Sequence, residues 1–199
     1  MKRRQREDED ASDGVVMTLF APEFLHEAQH CAHRALAQPK ASHVAGATMG
    51  AILLACASLE ADLAEGATTT AALPANLRRT ARDGGSALDD RYAAVLNFVS
   101  PGSRCSRTDE FKDLRALVAL RNAVAHRNAA FLRRGTWPVR LRPHASRFPV
   151  QPLPDQDWTS AVFTPPFARW AVQVAWNWEA WAEARWPFHD LYPPRPQRP

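Results

Sequence analysis

Apolar and polar residues nowhere alternate with period two over a useful length, whereas apolar residues recur at helical spacing in five separate stretches. A chain so patterned offers no half-buried sheet face, so its elements must be helices packed on helices. Alanine, the best helix former, occurs 36 times among the 199 residues. The expected fold is therefore all-α: an up-and-down bundle of four to five helices in one domain. Hydrophobic residues make up 46% of the chain, enough for a core without staples.

The spacing predicts a first helix that opens at Pro22 and ends before Pro39, with Phe24, Leu25, Ala28, Cys31, Ala32 and Ala35 as its apolar stripe. A second runs from Ser42 to Glu65, where Gly66 and three threonines should stop it; its Gly46 and Gly50 offer a smooth face for close helix approach. Leu73–Arg82 reads as short turns ended by Gly84-Gly85, and Leu88–Val99 as a third helix. Ser106 with Asp109, or Thr108 itself, can cap a fourth helix that continues to Leu132. Residues 137–166 hold seven prolines and little periodicity, which predicts an irregular connection with at most one short extended piece. A final helix over Phe167–Arg185 aligns Trp170, Val174, Trp178 and Trp181, a stripe that reads as core or subunit contact. The domain then spans residues 21–187, between a disordered charged tail (1–20) and a proline-rich tail (188–199).

Several function classes are excluded by what is missing. No GxGxxG or GxxxxGK[ST] loop cradles a phosphate, and no GxSxG elbow carries a nucleophile. Cys31, Cys56 and Cys105 lie far apart with no CxxC pair, so reduced thiols are expected rather than a disulfide or zinc framework. The charged N-terminus lacks an apolar run and reads as no signal peptide. The longest apolar stretch, Ala51–Ala57, falls far short of a membrane span, so the expected setting is cytoplasmic with no membrane partner.

Charge is unevenly placed. The net charge is +4, yet residues 101–150 carry eleven Lys/Arg against three Asp/Glu, and 22 of the 25 basic residues of the chain are arginine. Guanidinium forks match phosphate geometry, so the block points to a polyanion such as RNA. A solvated arginine-rich surface is the plain alternative.

Two constellations carry possible chemistry. His26-Glu27-Ala28-Gln29-His30 matches HExxH, whose histidines share a helix face and could hold zinc. Only about twenty residues precede it, so no upstream sheet can bind a peptide strand, and His33 stands where the extended motif needs glycine. His26 and His30 are weak metal candidates, and a zinc metallopeptidase is a remote alternative.

The second is Arg121-Asn122-Ala123-Val124-Ala125-His126. Arg121 falls within the stripe of Leu114, Leu117, Val118, Val124 and Ala125, where a permanent charge needs a partner such as Glu60 or Asp62. His126 lies about 140° further round an ideal helix, so one helix cannot aim both side chains at one point. Two copies related by a dimer axis can, and the smooth glycine face also calls for a homodimer.

Arg121-Asn122-xxx-His126, preceded by Phe111-Lys112-Asp113-Leu114-Arg115-Ala116-Leu117-Val118, resembles the Rx4-6H motif of HEPN domains, the higher eukaryotes and prokaryotes nucleotide-binding superfamily. Glu27-Ala28 with His33-Arg34-Ala35-Leu36 resembles the family's first helix, and Ala57-Ser58-Leu59-Glu60-Ala61 its second. The likeness covers residues 22–132. It implies a homodimeric helical bundle and a metal-independent endoribonuclease without cofactor, of the kind found in toxin–antitoxin and defence systems, with an antitoxin protein as a possible partner. It implies that His126 transfers protons around 2′-hydroxyl attack, that Arg121 steadies the phosphorane-like transition state, and that Asn122 orients them. Glu60 and Asp62 become supporting residues, and Arg115, Arg127, Arg133 and Arg134 candidate RNA contacts. The family also contains catalytically inert dimerisation or nucleotide-binding modules, which is the alternative reading.

Overall fold

A computed structural model of the protein describes residues 20–125 and 134–186. Both expected tails lie outside the described residues, apart from Phe20. Every regular element described is helical: α1 (Ala21–Ala37), α2 (Ala41–Thr69), α3 (Ala75–Arg82), α4 (Leu88–Val99), α5 (Asp109–Ala125), α6 (Trp158–Val162) and α7 (Pro165–Glu183), with 3-10 turns at Cys105–Arg107 and Arg142–Arg147. The fold is all-α.

α1 and α2 form an antiparallel hairpin, and α7 packs against both while also meeting α5. The approach of α1 to α2 is close because Gly50 carries no side chain: a Cβ there would stand 3.0 Å from the Cys31 sulfur. Gly46 faces open space instead. Glu65, at the far end of α2, accepts from the Phe20 backbone N–H at 2.6 Å and so caps the start of α1. Thr108 caps α5, its hydroxyl accepting from the Phe111 N–H at 3.2 Å. Of the two expected caps, the structure uses this one.

α2 runs past its predicted stop. Gly66 and Ala67 are buried in the bundle, and the hydroxyls of Thr68, Thr69 and Thr70 donate back to carbonyls of the preceding turn, so packing overrides weak propensity. By length and composition α2 could also cross a membrane, with a mean hydropathy of 1.6 over eighteen residues, which the run Ala51–Ala57 alone does not reveal. Here its Ala51, Ile52, Ala55, Leu59 and Leu63 lie in the core.

The tryptophan-rich helix α7 is a core element. Trp178 is fully buried, edge-on to Tyr92 at 5.2 Å and stacked on Trp181 at 5.1 Å. α7 begins at Pro165 rather than Phe167, since proline suits the first helical turn.

No strand forms in the proline-rich stretch; the 3-10 turn and α6 occupy part of it. It is well anchored. Trp137, Phe148, Trp158 and Phe167 form an aromatic cluster, Trp137 donating its Nε1–H to Gln151 at 2.8 Å. Arg147 reaches Asp109 at 2.7 Å and Asp113 at 3.3 Å on α5. At the start of the stretch Gly135 takes φ +69°, and a Cβ there would meet Pro154 Cα at 2.7 Å.

Candidate functional site

Arg121 leaves α5 toward α2, where its Nη2 lies 3.3 Å from Glu60 Oε1. Its Nη1 donates to the Asn122 side-chain oxygen at 2.9 Å, so motif arginine and motif asparagine are joined. The Arg121 side chain is one-third exposed, and Asn122 is exposed. Glu60 also faces Arg91 of α4, with 3.8 Å between Oε1 and Nη2. One carboxylate thus serves guanidinium groups from two helices.

Asp62 does not join this pair. Two positions along an α-helix turn through about 200°, so it points away from Glu60. It is buried and accepts from the Tyr92 hydroxyl at 2.9 Å. It lies in the core, and of the two expected carboxylates Glu60 is the one that meets Arg121.

The pair opens onto a cleft of about 620 Å³. Arg121, Asn122, Glu60, Arg91, Arg82 and Arg140 line it, together with the turn Gly84–Ser86. Four arginines against one glutamate give it a positive field. Arg82 ends α3, while Arg140 arrives from the proline-rich stretch; both are exposed. Arg91 is buried at 5% exposure, and its Nη1 donates to the Ala81 carbonyl at 3.1 Å.

Cys56 also lines the cleft, but it is no nucleophile. Burial pushes its thiol up to about 12, outweighing the opposite pull of Arg121. Cys31 and Cys105 are likewise buried and free.

The remaining candidates scatter. His126, Arg127 and Arg133 lie outside the described residues, as does the expected continuation of α5 to Leu132. Arg115 is paired with Asp89 at 3.0 Å and does not line the cleft; neither does Arg134, which is exposed. The basic block is therefore not one uniform face, because Arg115 and Arg147 spend their charge on neighbouring carboxylates. His26 and His30 are exposed with ring centroids 4.4 Å apart, while Glu27 pairs with Arg34 at 3.5 Å. Among the described residues, no group of three His, Cys, Asp or Glu is placed to hold a metal ion.

No family model, curated protein or solved structure matches this chain. What the site can do must come from its own residues.

Three of those arginines, Arg82, Arg91 and Arg140, belong to no sequence motif. Arg91 carried a signal nonetheless: it sits on the apolar face of Leu88, Tyr92 and Val95, where a charge needs a reason.

Proposed function

We propose that this protein is a metal-independent endoribonuclease of the HEPN type, acting on single-stranded RNA in the cytoplasm as part of a toxin–antitoxin or defence system. The observation that carries the reading is Arg121, braced by Glu60 and Asn122 at the mouth of an arginine-lined cleft, five residues before His126 in the sequence. A guanidinium held so has its fork set for a phosphate.

In this reading His126 accepts the proton of the ribose 2′-hydroxyl as its oxygen attacks the adjacent phosphorus. The bond to the 5′-oxygen breaks, that oxygen takes a proton, and Arg121 offsets the charge gathering on the phosphoryl oxygens. The products are a 2′,3′-cyclic phosphate and a 5′-hydroxyl. The nucleophile comes from the substrate, so the step calls for no cofactor. A homodimer would set two Arg121/His126 pairs in one shared cleft, and an antitoxin protein could cover it.

The same Glu60 contact favours a second reading, an inert HEPN module in which Arg121 is a structural ion-pair partner. Incubating the purified protein with single-stranded RNA in EDTA separates the two. Cleavage with those termini, with DNA left intact for want of a 2′-hydroxyl, supports the nuclease. No cleavage of any RNA by an intact dimer supports the inert module.

A further inference from the structure

Arg91 is a buried cation with too few partners. A guanidinium carries five N–H donors. Here Nη1 meets the Ala81 carbonyl at 3.1 Å, Nη2 reaches Glu60 only at 3.8 Å, and the Nε–H, buried, has no hydrogen-bond partner among the described residues. Leaving such a donor unpaired inside a protein is costly and calls for an explanation, of which a bound ion is one. The residue borders the cleft and is 95% buried, so its free donor is not in bulk water.

What shares the cleft identifies the ligand. Arg82 and Arg140 approach from α3 and from the proline-rich stretch, and neither forms an ion pair with a carboxylate among the described residues at the short range seen between Arg121 and Glu60. Arg82 is steadied by its Nε–H donating to the Arg78 carbonyl at 3.2 Å. Arg140 sits on a tight turn, closed by the Leu141 N–H to the Pro138 carbonyl at 2.8 Å and pinned by the fully buried Leu141. Three cations bordering one space, one of them with an unspent buried donor, suit an oxyanion such as a phosphate. Among the described residues no aromatic ring lines the cleft, so what they offer a ligand is charge and hydrogen-bond donors rather than a surface for base stacking.

We propose that Arg82, Arg91 and Arg140 form a phosphate-binding subsite beside Arg121. The proposal rests on the nuclease reading for its natural ligand, a phosphate of the RNA strand, and on the cleft alone for its chemistry. That phosphate is either an internal phosphodiester or a terminal phosphomonoester.

Binding is measured by titrating the full chain at low salt with inorganic phosphate and with short deoxy-oligonucleotides bearing a 5′-phosphate or a 5′-hydroxyl. These probes lack the 2′-hydroxyl and cannot be consumed. Arg82→Ala and Arg140→Ala alter exposed side chains and leave the fold intact. Each should weaken phosphate and oligonucleotide binding about tenfold, and should lower the salt slope of oligonucleotide binding by about one. Arg91→Lys, which keeps the charge but loses the Nε donor, should weaken binding similarly. Tighter binding of the 5′-phosphorylated strand assigns a terminal phosphate; equal binding assigns an internal one. Wild-type affinity in both alanine variants overturns the subsite, even if the protein cuts RNA. Arginine-dependent binding without any RNA cleavage sustains the subsite and overturns the nuclease instead.

Discussion

Arg121 of α5 and Glu60 of α2 meet at 3.3 Å with both side chains partly open to water. Water screens such a pair, so it contributes at most about 1 kcal/mol to stability. The contact therefore aims the guanidinium far more than it holds the bundle together.

A clean separation of stability from activity follows. Arg121→Ala should lower the melting temperature by no more than about 4 °C, the shift that roughly 1 kcal/mol produces in a domain of this size. RNA cleavage should nevertheless fall below detection. Thermal melts and gel assays on one preparation check both halves, and a variant that unfolds would mark Arg121 as a structural residue.

Gly46 and Gly50 of α2 should respond differently to alanine. Gly46 faces open space, so Gly46→Ala should stabilise the helix by about 0.5–1 kcal/mol. Gly50→Ala must push the Cys31 sulfur aside from 3.0 Å and should gain nothing. Melting curves decide this. Light scattering on Gly46→Leu adds a test of assembly: a dimer seated on that face should fall to monomer.

Gly135→Ala should be among the most damaging single-atom additions on the surface. The left-handed backbone costs a side chain about 1–3 kcal/mol, and the new Cβ also meets Pro154 at 2.7 Å. Its effect should reach the cleft, because Arg140 belongs to the stretch that Gly135 opens. A lower melting temperature together with weaker phosphate binding is the expected result.

Acid should weaken the fold through His144. Burial, helped by the Arg115 charge and opposed by Asp89, holds its imidazole below the usual 6.5. The unfolded chain therefore binds the proton more readily. The contribution of the neutral ring is complete above pH 6.5 and is lost as the pH falls through the lower folded value. Melting temperature should drop as the pH is lowered below about 6.5, and His144→Gln should flatten that drop.

Much of the bundle was legible because burial leaves a periodic trace. α4 runs over Leu88–Val99 as its spacing predicts, and Arg121 stood out as a charge within an apolar stripe. The end of α2 was not legible: glycine and threonine are weak helix formers, and only the neighbouring helices make Gly66 a packed position. The cleft was half legible. Arg91 interrupts the apolar face of its helix just as Arg121 does, whereas Arg82 and Arg140 look like ordinary surface cations until the turn after α3 and the proline-rich stretch are brought together. Choosing Glu60 over Asp62 required only the helical angle between them, given where α5 lies.

The seven prolines between residues 137 and 166 act on the unfolded chain as well as on the folded one. Each fixes its own φ before folding begins, so the stretch has less freedom to surrender when Trp137 packs on Phe167 and Phe148 on Trp170 of α7. A wall with only short helical pieces can then be nearly as stiff as a long helix. Arg140 rides on that wall, and a visiting anion would find it already in place rather than having to recruit it.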